Sequence, residues 1–267
     1  MITSDADKAA RAPIGDAIVG NPIAAMEQLC RLVQSKPAKS VIKTVQTIQS
    51  ATPSSASGKI TVKQFNEVLA HASPPDGVFT SEAFSLGSWW EQISLTRPRS
   101  FFSGAAGGLG FALPAAVEVG LAFGKGPVIA LVGDGSANFC ITGLWTAAQQ
   151  KVPCTFVIVR NGVYEALTDY GAYLGAQDLP GMDLPGIDFV SVAAGFGVEG
   201  RRISTAAEMA DALKAAIEGG KPSLLEVEVE PTDSGMFEKR SMNGRNVFSA
   251  SGHFSRSAGG SGCLVAL

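Results

Sequence analysis

The 267-residue sequence predicts an α/β fold: a doubly wound, mostly parallel sheet with helices on both faces. Two observations carry this. Short apolar runs rich in β-branched residues, VIALVG and CTFVIV, alternate with segments of helical period. These runs are apolar at nearly every position, as strands covered on both faces are.

The elements follow in order. Asn21-Pro22 opens a helix, with Asn as N-cap and Pro at the first helical position. Ile23, Met26, Leu29, Cys30 and Val33 share one face, which predicts packing against another element. Residues 36–58 are rich in Ser, Pro and Thr with weak periodicity and are predicted to be a linker. Thr61 with Gln64 forms a capping-box signature for a helix reaching Ala72. GVFT is a strand leading to a helix near residues 81–93, and SFF a strand leading to a small-residue helix over residues 107–123. PVIALVG precedes a helix over residues 136–150, and CTFVIV precedes one starting near Tyr164. A Gly-, Pro- and Asp-rich loop follows, then helices over residues 188–196 and 204–218, and a last strand, SLLEVEVE. The domain plan is 1–35, linker 36–58, main domain 59–231, and a Ser/Gly-rich tail 232–267 expected to be flexible.

Composition narrows the function. A net charge of −3 gives no basic face for nucleic acid. The longest apolar runs are strand-sized and too short for a membrane span. The N-terminus lacks an apolar signal core. Cys30, Cys140, Cys154 and Cys263 form no C-x-x-C pair and predict reduced thiols in a cytoplasmic protein. With only His71 and His253, histidine-based acid–base chemistry is not expected.

Two glycine-rich sites need weighing. Gly104–Gly110, GAAGGLG, has the spacing of a short-chain dehydrogenase loop. That reaction needs Tyr with Lys four residues on; Tyr164, Tyr170 and Tyr173 are instead followed there by Thr168, Leu174 and Gln177. A lone glycine pattern is weak, and close packing by small residues explains it equally. Gly133-Asp134-Gly135-Ser136 sits where a strand becomes a helix. Glycines admit a large anion and a helix N-terminus attracts phosphate, yet the same features should repel Asp134. A cation between carboxylate and phosphate resolves the conflict, and Mg2+ is bound in this way. An ordinary turn with Asp134 as N-cap is the competing explanation. Asn161, at the end of the next strand, would share that sheet edge and offer an amide oxygen, with a backbone carbonyl near Val163 completing an all-oxygen set.

GDG followed by a helix, a strand and Asn resembles the thiamine diphosphate (ThDP) motif. Together with AARAPIGDAIV, AAGGLGFALPAA, LWTAAQ and PGMDLPGIDF, it makes residues 2–231 resemble the benzoylformate decarboxylase family. The resemblance spans the end of that family's middle domain and its whole C-terminal, diphosphate-binding domain. It implies ThDP and Mg2+ as cofactors, with Asp134, Asn161 and the Val163 carbonyl as metal ligands. Gly133, Gly135, Ser136, Ala137 and Tyr164 would surround the diphosphate, with Ser85 on the same side. The Gly107 carbonyl would accept from the 4′-amino group of the pyrimidine, and Leu109 would wedge the cofactor into its bent shape. Ser103, Glu165, Ala166, Leu167 and Tyr170 would line the substrate pocket.

Departures accompany these matches. Arg160-Asn161 stands where the family often has Asn-Asn, Ser103 replaces an aromatic residue, Glu165 replaces a small one, and Thr168-Asp169 replaces a larger pair. A buried Glu165 would need a partner. The tail after Pro231 matches nothing expected of the family. No catalytic residue is assigned: the family's N1′-protonating glutamate and catalytic histidines lie outside this match. The resemblance thus implies half an active site, completed by a pyrimidine-binding domain or subunit in trans within a homo- or hetero-oligomer. Its substrate would be a small 2-oxo acid. The alternatives are a non-catalytic interaction module on the same fold or an acetolactate synthase-like carboligase.

Overall fold

The computed structural model describes residues 1–11, 16–33, 59–93, 95, 97–104, 107–124, 126–176, 178–231, 240–242, 245–247 and 265–266. The chain forms two compact units, residues 1–46 with 253–267 and residues 47–252. The predicted linker, 36–58, lies outside the described residues, as does most of the tail.

The first unit contains β1 (Ile2–Thr3), α1 (Ala6–Ala10), β2 (Ile18–Val19) and α2 (Pro22–Leu32). β1 pairs in parallel with β2, and Val265–Ala266 pairs with the other edge of β2. Asn21 Oδ1 accepts from the N–H groups of Ile23 and Ala24, so the cap forms as its residues dictate. The apolar face is another matter. Ile23, Met26, Leu29 and Val33 are exposed, and none of the helix is buried among the described residues.

The second unit is the doubly wound sheet. It begins with α3 (Val62–Ala72), where Thr61 and Gln64 form both bonds of the capping box. β3 (Val78–Glu82) and β4 (Phe101–Ser103) follow, then α4 (Ala112–Phe123), β5 (Val128–Gly133), the short α5 (Asp134–Ala137) and α6 (Gly143–Gln150). The chain continues through β6 (Cys154–Arg160), α7 (Glu165–Leu174), α8 (Phe189–Gly195), β7 (Glu199–Ile203), α9 (Ala206–Glu218) and β8 (Ser223–Glu228). The strand order is β4-β3-β5-β6-β8-β7, and every pairing is parallel. Side chains alternate between two cores, as pleating requires. Val128, Ala130 and Val132 meet the core that holds Ala116 of α4, Leu144 of α6 and Ala193 of α8. Ile129 and Leu131 meet the core that holds Phe65 of α3 and Met209 of α9.

Four local expectations differ. No α-helix forms over residues 81–93. Two 3₁₀ turns, Phe84–Leu86 and Trp89–Gln92, replace it, and Trp89 is buried against Phe79 and Phe101 at ring distances of 5.3 and 5.6 Å. The helix expected over 107–123 starts at Ala112; before it the chain turns, with Gly107 and Gly110 at φ +68° and +100°, and Gly107 and Leu109 line a cavity. The helix expected over 136–150 is interrupted between Ala137 and Gly143. There α4 crosses so closely that a Cβ on Gly143 would stand 2.6 Å from Leu113 Cδ2. β7, EGRRI, is an edge strand too polar to show as an apolar run.

Candidate functional site

β3, β5 and β6 lie side by side and end at Glu82, Gly133 and Arg160. From β3 the chain goes to one side to form β4, then returns past β3 to form β5. The β3–β5 boundary is therefore a topological switch point, where open parallel sheets bind ligands beyond their carboxyl ends. A cavity of about 170 Å3 opens there.

Four segments build its wall. The end of β3 and the following turn supply Glu82, Phe84 and Ser85, and the glycine stretch supplies Gly107 and Leu109. The β5–α5 junction supplies Gly133, Asp134, Gly135 and Ser136. The β6–α7 loop supplies Asn161 and Val163–Leu167. Most residues singled out from the sequence thus converge. Three do not line the cavity: Ala137 is fully buried in the core, Ser103 is exposed at the end of β4, and Tyr170 is half exposed and stacks on Tyr173. His71 is exposed on α3 and lies apart from it; His253 is outside the described residues. Glu82 and Phe84 carried no motif signal and were missed.

The GDG turn and the Asn161 loop are joined directly. Asp134 is 3% exposed. Its Oδ1 accepts from the N–H of Gly135 at 2.9 Å, and its Oδ2 from the N–H of Gly162 at 2.7 Å. Gly162 has φ +82°, the left-handed region where a side chain would be strained. The N-cap of α5 is Gly133, so Asp134 is not an ordinary N-cap. Burial pushes the Asp134 carboxyl above its usual range, opposed by the N–H groups of Gly162 and Gly135 and by the nearby Arg160 charge. Arg160 itself is engaged by Glu226 and Glu228 at 3.3 and 2.9 Å.

The loop after β6 is fixed from both sides. Tyr164 N–H donates to the Met182 carbonyl and Leu184 N–H to the Gly162 carbonyl, each at 2.8 Å. These bonds flank Val163, whose bridge to Asp183 is the non-hydrogen-bonded kind, so its own N–H and C=O face away from that segment. The Val163 N–H donates to Asn161 Oδ1 at 3.1 Å. Asn161 Nδ2 donates to Glu165 Oε2 at 2.8 Å, so the buried Glu165 is satisfied rather than bare. The Tyr164 ring lies on Gly135, where an added Cβ would stand 2.5 Å from Cε1. Ser136 Oγ donates to the Glu82 carbonyl at 3.2 Å, tying α5 to the end of β3.

Glu82 has a separate task. Its two carboxylate oxygens accept from the N–H groups of Phe111 and Ala112, both at 2.9 Å. Phe111, the N-cap of α4, makes no side-chain cap of its own.

Three carboxylates therefore line the cavity, and among the described residues no Lys, Arg or His does. A polyphosphate could enter only with a cation. The donors suit Mg2+: the Asp134 carboxylate, the Asn161 amide oxygen and the Val163 carbonyl are all hard oxygen ligands. Burial disfavours the charged form of the Asp134 carboxyl, and a cation beside it would favour that form. Beside it, Gly135 lets the Tyr164 ring pack against the turn because it lacks a Cβ. The residues present fit the implied group.

Among the described residues no helix is long and apolar enough to cross a membrane. Cys30 is exposed, Cys140 and Cys154 are buried, and all three are free thiols.

Residues 85–227 match the family model for the thiamine pyrophosphate enzyme, C-terminal TPP binding domain. Benzoylformate decarboxylase of Pseudomonas aeruginosa is 40% identical over 230 residues, covering 85% of this chain and 43% of that protein. A putative acetolactate synthase large subunit of Mycobacterium tuberculosis is 34% identical over 186 residues, 66% of this chain and 36% of its own. Among solved structures, the ThDP-dependent 4-hydroxybenzoylformate decarboxylase of Rhodococcus jostii RHA1 superposes with a TM-score of 0.76 at 37% identity. It covers 87% of this chain and 44% of that one. The chain thus spans less than half the length of these relatives. Its parallel sheet, its switch-point cavity and the family match agree: the chain belongs to the thiamine pyrophosphate enzymes and carries their C-terminal, thiamine-pyrophosphate-binding domain.

Proposed function

We propose that this chain provides the diphosphate- and Mg2+-binding half of the active site of a 2-oxo acid decarboxylase of the benzoylformate decarboxylase type. One observation carries the proposal: the Asp134–Gly162 hydrogen bond joins the GDG turn and the Asn161 loop on one wall of an anionic cavity. Asp134, Asn161 and the Val163 carbonyl hold Mg2+. Gly133, Gly135 and Ser136 give the diphosphate close backbone approach, with Ser85 on the same side and Tyr164 closing the loop. The Gly107 carbonyl receives the pyrimidine amino group, and Leu109 props the cofactor apolarly. Glu165, Ala166 and Leu167 face the substrate side. When bound, ThDP supplies the electron sink for decarboxylation, while the protein supplies orientation and a dry wall. A pyrimidine-binding domain or subunit completes the site, in a homo- or hetero-oligomer, and the free thiols suit a cytoplasmic setting.

A second reading, a non-catalytic interaction module on this fold, is favoured by the Glu165 carboxylate within the cavity. Calorimetric titration of the chain with ThDP, with and without Mg2+, tests the first. Binding should require Mg2+ and vanish in Asp134→Ala; binding indifferent to both would overturn it. Turnover of a 2-oxo acid after adding a pyrimidine-binding domain would exclude the second.

A further inference from the structure

We infer that Glu165 is a positioning residue that sets the orientation of the Asn161 amide and so makes its oxygen available to the cation. The inference rests on the Mg2+ site proposed above. An Asn side chain can turn either its oxygen or its nitrogen to a neighbour, and the two differ little in shape. The amide nitrogen Nδ2 donates to Glu165 Oε2 at 2.8 Å, where the carboxyl oxygen accepts. A backbone N–H only donates, so the group facing the Val163 N–H at 3.1 Å must be Oδ1. The Val163 N–H demands this orientation, and the Glu165 carboxyl oxygen is satisfied by it.

That orientation matters at this position. Oδ1 uses one lone pair on Val163 and keeps a second. Asp134 Oδ2 is held by the N–H of Gly162, the residue between Asn161 and Val163. Consecutive N–H groups of one loop therefore hold the two side-chain oxygens that would take the metal. With Glu165 removed, the Val163 N–H alone would oppose a flip that presents NH2 to the cation, a repulsive partner. Glu165 is buried at the start of α7, so its backbone is anchored and the carboxylate can fix the amide. Such support around a metal ligand is worth about ten- to a hundredfold in metal affinity. A carboxylate in the first turn also suits the dipole of α7, which is the purely structural alternative.

The test is Mn2+ affinity of the full chain with ThDP present, measured from the electron paramagnetic resonance of free Mn2+. Glu165→Ala should weaken Mn2+ binding about tenfold, at the lower end of the range for lost support around a ligand. Glu165→Gln, which keeps an acceptor for Nδ2, should restore it to within about threefold. In the Asn161→Ala background, Glu165→Ala should add less than about twofold, since the two residues act through one interaction. A purely structural acid would show no rescue by Gln and the same loss in both backgrounds. Wild-type affinity in Glu165→Ala, equal weakening by Gln and Ala, or an undiminished effect in the Asn161→Ala background would each overturn the inference. If wild type itself showed no Mn2+ binding that Asp134→Ala abolishes, the metal-site reading would fall and the inference with it. Near-ultraviolet circular dichroism of each variant confirms that losses are scored on folded protein.

Discussion

Removal of the Glu82 carboxylate should unseat the start of α4. The helix has no cap from its own neighbours, and Glu82 reaches it from 29 and 30 residues upstream with two bonds of 2.9 Å. A hydrogen bond to a charged group contributes about 1.5–3 kcal/mol, and a buried donor left without a partner costs a similar amount. Two such bonds set an upper range near 6 kcal/mol, but Glu82 also lines the cavity, so water can replace part of the loss. Glu82→Ala should therefore cost about 3 kcal/mol, and for a unit of this size the melting temperature should fall by about 6–12 °C. Glu82→Gln should cost about 2 kcal/mol, because its amide oxygen keeps one N–H while its NH2 faces the other. Urea denaturation followed by far-ultraviolet circular dichroism gives both values. A loss below about 1 kcal/mol for Glu82→Ala would refute the capping role.

Three further outcomes follow from burial and contact. Gly135→Ala places a methyl 2.5 Å from Tyr164 Cε1 and 3.4 Å from Leu184 Cδ1, so the ring must move and drag the Asn161 loop. Overpacking costs about 1–3 kcal/mol and offsets the helix-propensity gain of about 1 kcal/mol; Mg2+-dependent ThDP binding should fall more sharply than stability, and unchanged affinity by calorimetry would contradict the contact. Burial pushes the Cys140 and Cys154 thiols up to about 11 and about 12, from an ordinary thiol value of 9.0. Their folded pKa values lie above the unfolded one, so their stabilisation is complete below about pH 9 and lost as pH rises toward 12. Stability should decline across that alkaline window, and Ala at both positions should flatten the decline. At pH 8 a disulfide-exchange reagent should modify exposed Cys30 rapidly and the two buried thiols only on unfolding.

Local chemistry by itself determined much of this molecule. Asn21, Thr61 and Thr205 each precede a helix whose first N–H groups they receive, an interaction spanning only two or three residues. VIALVG and CTFVIV have almost no polar face to show to water, so they declare themselves central strands. The GDG turn and Asn161 could be picked out because glycine, carboxylate and amide stand at two strand ends, and the structure brings both segments to one cavity. Other features belonged to tertiary structure. Trp89 settles on Phe79 and Phe101 instead of extending a helix, and α4 packs closely on Gly143 where the helix resumes after GDG. The polar edge strand EGRRI exists because β8 offers it an open ladder. Segment 182–184 clasps the Asn161 loop across nearly twenty residues of chain. Above all, the N-terminus of α4 is satisfied by Glu82, a residue whose sequence neighbours show no trace of the task. Bonds between residues distant in the chain depend on which strand ends the sheet order places side by side, and that order is a property of the whole core.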